Sequence, residues 1–206
     1  MKESDIHNIV YSKNVIEFVT VANEFCLYLE TVNKISKQEF ISKTQKILPL
    51  LYLKASMLPN IESTFEDANE KFVTERDWYV IHNNIQKLIT NANEFIEVFD
   101  PRMQESETPV VSSISENIAD IYQDVKDFLM LYRIGTLEIM NDALWECREN
   151  FINYWGQKLT NVLRAIHNLA YHFNFDEEDN IDKSENIDNI NNWIISKRQK
   201  DYENDE

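Results

Sequence analysis

The stretch TLEIMNDALWECRENFINYWGQKLTNVLRAIHNLAYHF, residues 136–173, decides the fold of this 206-residue chain. It contains no proline, and Gly156 is its single glycine. Apolar side chains recur along it every three or four residues, which is the period of an α-helix. The apolar arc covers nearly half of the helix surface. We therefore expect this helix to lie at the centre of a bundle and to contact several neighbours.

Four further amphipathic helices are predicted before this long helix. They run over residues 8–31, 36–58, 74–88 and 113–135. Ser36, Thr74 and Ser113 are the expected N-caps, because each has an acidic residue three positions later. Gly135 is expected to end the fourth helix. Pro49 lies inside the second helix, where it predicts a kink or a break near residues 46–48.

Composition supports a single all-α domain over residues 1–173, an irregular bundle of about five main helices around the long C-terminal helix. The chain has only 2 Gly and 4 Pro. An all-β fold needs turn residues at each hairpin, and this sequence lacks them. Residues 59–73 read as a loop and residues 100–109 as a linker. Residues 174–206 form an acidic, Asn-rich extension, which we expect to be flexible.

Charge and cysteine content limit the possible ligands and the location of the chain. The sequence has 20 basic and 36 acidic residues, a net charge of −16. Nucleic acid and anionic membranes are unfavourable direct ligands for such a chain. Neither a membrane span nor a signal peptide is predicted. Cys26 and Cys147 fall in helical patterns and are expected to be free, buried thiols, as in a cytoplasmic protein.

Carboxylates at helical spacing give one candidate metal site. Asp120, Asp124 and Asp127 share one side of the fourth helix, and Glu146 and Glu149 lie together on the fifth. Pairs of this form hold Mg²⁺ in all-helical nucleotide pyrophosphohydrolases, although there they occur in another order along the chain. Solvated carboxylates are also expected on the helices of an acidic protein. Both interpretations stay open.

A polar stripe on the long helix gives a second candidate site. Its members follow spacings of 3 and 4 residues and are mostly amides: Glu146, Asn150, Asn153, Gln157, Asn161, Arg164 and Asn168. Such side chains offer directional hydrogen bonds to a ligand or partner. Tyr154 and Lys158 border the stripe, and Lys158 falls within the apolar arc. The candidate binding residues are therefore Glu146, Asn150, Asn153, Tyr154, Gln157, Lys158 and Arg164. The alternative is an ordinary exposed face.

The motif Tyr154-Trp-Gly-Gln-Lys-Leu159 resembles the bacterial family called domain of unknown function 5063. Other segments agree with this resemblance, among them Leu48-Pro-Leu-Leu-Tyr-Leu-Lys-Ala-Ser56 and Ile118-Ala-Asp-Ile-Tyr-Gln-Asp-Val125. It covers about residues 8–173. The resemblance implies an α-helical bacterial protein and carries no activity.

Three functions remain after these eliminations. The first is a non-enzymatic binding protein of the bacterial cytoplasm, with a protein or small-molecule partner and no cofactor. The second is a divalent-metal-dependent hydrolase that uses the helix carboxylates. The third is an acidic mimic that occupies a nucleic-acid-binding protein, since a helical surface of net charge −16 can imitate a row of phosphates.

Overall fold

The computed structural model describes residues 3–65, 68–97 and 110–172. This part of the chain forms seven α-helices and two short strands. The helices are α1 (Glu3–Val10), α2 (Lys13–Glu30), α3 (Lys37–Ser56), α4 (Glu75–Ile89), α5 (Ile114–Ile134), α6 (Leu137–Asn150) and α7 (Gly156–His172). The strands are β1 (Glu94–Ile96) and β2 (Val111–Ser113). The predicted all-α bundle is confirmed.

Helix ends follow the predicted local signals. The Thr74 side chain accepts from the backbone N–H of Asp77, and the Asp77 side chain accepts from the backbone N–H of Thr74, a complete capping box. Ser36 and Ser113 cap α3 and α5 by accepting a backbone N–H three residues later. Gly135 ends α5 with φ of 85°, a left-handed conformation that favours glycine.

The predicted single helix over residues 8–31 is wrong. The chain forms α1 and α2 and turns between them at Tyr11 and Ser12. Ser12 is extended, with φ of −64° and ψ of 154°. The turn lets Ile6 and Val10 of α1 pack against Met140 of α6. Tertiary burial therefore overrides the local helical pattern here.

The sequence predicts a kink or a break near residues 46–48; the break is wrong, and the kink stays a prediction. Helix α3 continues from Lys37 to Ser56 with Pro49 in its interior. Pro49 lies on the exposed side of α3. On an exposed helix face, water can replace the backbone donor that a proline lacks, which lowers the cost of an interior proline.

A small antiparallel sheet, absent from the sequence prediction, joins the end of α4 to the start of α5. Strand β1 pairs with β2, and Glu94 is opposite Ser113. Buried Asn93 donates to Ser113 Oγ at 3.0 Å and accepts from the backbone N–H of Ser115 at 2.9 Å. The predicted linker at residues 100–109 lies outside the described residues.

The core lies around α5 and the long C-terminal helix. Helix α5 packs against α2, α4 and α6, while α1 packs on α6. Fully buried side chains fill the space between them, including Phe18, Phe25, Ile118 and Trp155. Both cysteines are free and buried, as predicted. Among the described residues, no helix combines the length and apolarity needed to cross a membrane.

The long C-terminal helix is confirmed over 36 residues, Leu137–His172. One π turn, residues Phe151–Trp155, separates α6 from α7. The predicted flexible extension, residues 174–206, lies outside the described part of the chain.

Candidate functional site

The π turn changes which side of the long helix each residue faces. The backbone N–H of Gly156 donates to the carbonyl of Phe151, five residues earlier. This extra residue rotates the following side chains by about 100° relative to a regular helix. A Cβ atom at Gly156 would collide with that carbonyl oxygen and would lie 3.0 Å from the Phe151 ring. The turn therefore requires glycine at this position.

An open groove lies where the π turn approaches α3. We call it the π-turn groove, and its volume is ≈ 270 Å³. Its lining consists of Tyr52, Phe151, Ile152, Gly156, Gln157 and Thr160. The rings of Tyr52 and Phe151 meet edge to face, with centroids 5.1 Å apart. The lining combines aromatic and aliphatic side chains with an amide and a hydroxyl group, which suits a large side chain that has a polar end.

A carboxylate anchors the far side of the π turn. Asp120 on α5 accepts hydrogen bonds from Trp78 Nε1 at 2.8 Å, Tyr154 OH at 2.9 Å and Lys158 Nζ at 2.7 Å. Burial lowers the pKa of Lys158, but the hydrogen bond and charge of Asp120 outweigh burial and raise that pKa overall. Asp120 thus ties α4, the π turn and α7 together.

The predicted metal ligands bind protein donors in this structure. Asp127 Oδ1 accepts the backbone N–H groups of Phe72 and Val73, both at 2.8 Å. Glu146 accepts from Asn69 and Lys71 at 3.1 and 2.8 Å. These contacts hold the loop before α4 against α5 and α6.

The two remaining metal candidates are also hydrogen-bonded. Glu149 pairs with Arg148 at 3.0 Å, and Asp124 accepts from Asn150 at 2.8 Å. Burial raises the pKa of Asp124 to about 6, although the Asn150 donor opposes the shift. Within residues 3–65, 68–97 and 110–172, no group of three or more His, Cys, Asp or Glu side chains could hold a metal ion.

The polar stripe does not follow one groove, because the π turn interrupts its phase. Before the turn, Glu146 and Asn150 bond to the loop and to α5. Asn153 donates to the carbonyl of Glu149 at 2.9 Å. After the turn, Arg164 donates to the carbonyl of Ile96 at 2.7 Å. Tyr154 and Lys158 bond to Asp120, as described above. Of the seven candidates, Gln157 lines the groove.

Sequence reasoning missed most of the residues that line the groove. Tyr52 reads as an ordinary member of an amphipathic helix, and Phe151 reads as core. One signal was present, since Gly156 interrupts a long helix in which alanine would be more stable by about 1 kcal/mol. Glycine at such a position is compatible with a close approach of another backbone or side chain, because it has no Cβ atom.

Helix α3 carries a second apolar stripe on its solvent side. We call this surface the α3 outer face; it consists of Lys46, Pro49, Leu50, Leu53 and Met57. Leu53 is 52% exposed, and Leu50 and Met57 are also exposed. Tyr52, on the same helix, forms one wall of the π-turn groove.

The comparisons with known proteins identify the family. Residues 9–172 match the model of "Domain of unknown function (DUF5063)". The chain belongs to this family. A crystal structure of a Bacteroides fragilis protein is 42% identical in sequence and superposes with a TM-score of 0.72. The alignment covers 81% of this chain and 98% of that one. A comparison with curated proteins gives no significant match.

Proposed function

We propose that this domain is a non-catalytic binding module that recognises a partner protein through the α3 outer face and the adjoining π-turn groove. The observation that carries the proposal is the exposed apolar stripe of Leu50, Leu53 and Met57 on one helix of a chain with net charge −16. Contiguous exposed apolar surface of this kind is typical of interaction sites, whereas single exposed apolar residues are common on any protein.

The size of the groove favours a protein partner over a metabolite. Its volume of ≈ 270 Å³ is below the range of about 300–1,000 Å³ that is usual for small-molecule pockets, and it is open on one side. One large side chain suits this space better than a whole metabolite. Interfaces concentrate their binding energy in such anchor side chains, which are often aromatic. The rings of Tyr52 and Phe151 meet edge to face, so an aromatic anchor in the groove can contact both of them.

Two further observations favour binding over hydrolysis. The carboxylates Asp120 and Asp127 accept their hydrogen bonds from protein groups, so they offer fewer free oxygens to a metal ion. Burial raises the pKa of the thiols of Cys26 and Cys147, which keeps them protonated and poorly nucleophilic at neutral pH.

A peptide-display selection tests the proposal. Random peptides are selected on the wild-type protein and measured by fluorescence anisotropy against two variants. Leu53→Asp places a charge on the α3 outer face and should weaken binding by roughly tenfold or more. Leu27→Asp is the matched control, because Leu27 is similarly exposed at 48% but lies on α2. Equal affinity for the two variants, or no peptide whose binding depends on Leu53, would contradict the proposal.

A further inference from the structure

The two helices that border the groove have net positive charge, although the whole chain has a net charge of −16. Helix α3 contains four lysines and one glutamate. Helix α7 contains Lys158 and Arg164 and no acidic residue. By the same count, α1, α2, α5 and α6 have more acidic than basic residues, and α4 has equal numbers. The groove therefore lies between the two helices with net positive charge.

Two of these cations are hydrogen-bonded to neutral groups only. Lys46 donates to Ser42 Oγ at 3.1 Å, and Arg164 donates to the carbonyl of Ile96 at 2.7 Å, so both partners are neutral. In the described part of the chain neither forms an ion pair. By contrast, Lys43, Lys54 and Lys158 pair with carboxylates at 2.6–2.7 Å.

Both of these cations belong to the helix rows that form the binding surface. Lys46 precedes Leu50, Leu53 and Met57 at the spacing of one helical stripe. Arg164 follows Gln157 by seven positions and Thr160 by four, two lining residues of the groove. The surface thus combines an apolar centre with a cation on each of its two helices.

We propose that the partner segment is an acidic amphipathic helix, an inference that rests on the proposed function. Its apolar side packs along the α3 outer face and inserts one large side chain into the π-turn groove. Its carboxylates lie near Lys46 and Arg164. An amphipathic helix binds by packing its apolar face against a hydrophobic surface of its receptor. At physiological salt the screening length is about 8 Å, so charges close to the surface matter more than the net charge of the whole chain.

The peptides selected in the preceding experiment provide the probe. We expect Leu53-dependent peptides to be enriched in Asp and Glu. A synthetic copy of the best peptide, with each Asp and Glu replaced by Lys, should bind roughly tenfold more weakly. The double variant Lys46→Glu/Arg164→Glu should lose most of this preference. The matched control, Lys34→Glu/Lys87→Glu, changes net charge equally at exposed positions on other elements and should retain it. Circular dichroism and thermal melting verify that both variants fold.

The outcomes separate the inference from the proposed function. Leu53-dependent peptides that bind equally well in acidic and lysine-substituted form would overturn the inference and leave the proposed function standing. A preference that both double variants lose equally would overturn it too, because the effect would then come from overall charge. A labelled single-stranded oligonucleotide could instead bind through Lys46 and Arg164 more tightly than the acidic peptide does. That result would identify nucleic acid as the partner and overturn the inference. Loss of all Leu53 dependence would contradict the proposed function itself.

Discussion

The carboxyl group of Asp124 lies on α5 with Asn150 as its hydrogen-bond donor. Burial raises its pKa from 3.8 to about 6 in the folded protein. Between these two values the folded state keeps a proton that the unfolded state has lost. The stability contributed by this group therefore falls as the pH rises from about 4 to about 6, and it stays low above that range.

Asp124→Asn should consequently stabilise the protein at pH 7. The expected gain is on the order of 2 kcal/mol, and it should disappear near pH 3, where the wild-type carboxyl is mostly protonated in both states. Urea denaturation at both pH values measures it. Glu24→Gln, an exposed change on α2 that removes the same charge, should have little effect. An Asp124→Asn variant that is less stable than wild type at pH 7 would refute this account of the Asp124 site.

The pKa of another buried carboxyl, that of Asp142, shifts in the opposite direction. It accepts the backbone N–H groups of Thr64 and Phe65 at 2.6 and 2.8 Å and the hydroxyl of Ser63 at 3.0 Å. Burial would raise the pKa of Asp142, but these donors outweigh it and lower the pKa. Its contribution to stability is therefore present at neutral pH and lost in acid. The pKa values of Asp124 and Asp142 shift in opposite directions because the two carboxyl groups have different hydrogen-bond donors. The sequence alone does not reveal these donors.

At the scale of elements, the π turn between α6 and α7 is the feature that most affects the site. In a regular helix, Gly→Ala stabilises by about 1 kcal/mol. Gly156→Ala should instead destabilise by about 1–3 kcal/mol, because the new Cβ collides with the carbonyl of Phe151. Chemical denaturation gives the sign directly. Asn168→Ala, an exposed change later in α7, should stay within about 0.5 kcal/mol. A stabilising Gly156→Ala would mean that the helix is regular here.

Prediction from the sequence succeeded where local chemistry decides the structure. The capping box at Thr74 and the left-handed Gly135 are local signals, and both helix ends lie where they were expected. The turn at Tyr11 was missed because its cause is the distant contact with Met140. The groove was missed for the same reason, since Tyr52 and Phe151 are 99 positions apart in the chain and meet only through packing.

At the scale of the whole bundle, the charges are arranged by sign. Helix α5 and helix α6 are rich in carboxylates, yet Asp120, Asp127 and Glu146 bind protein donors. A mimic of nucleic acid needs its carboxylates free to meet a basic partner, so these contacts lend that alternative no support. The net positive helices α3 and α7 instead border an apolar surface. Binding at this surface is the central claim.

Photo-crosslinking of a selected peptide tests that claim most directly. The peptide carries benzoylphenylalanine in place of its largest apolar residue and is irradiated in complex with the full-length wild-type protein. Mass spectrometry then locates the adduct. Adducts on Tyr52, Leu53, Phe151 or Ile152 are the predicted result, because these side chains are the walls of the π-turn groove and its neighbour on the α3 outer face. Adducts confined to α4 or α5 would contradict the account.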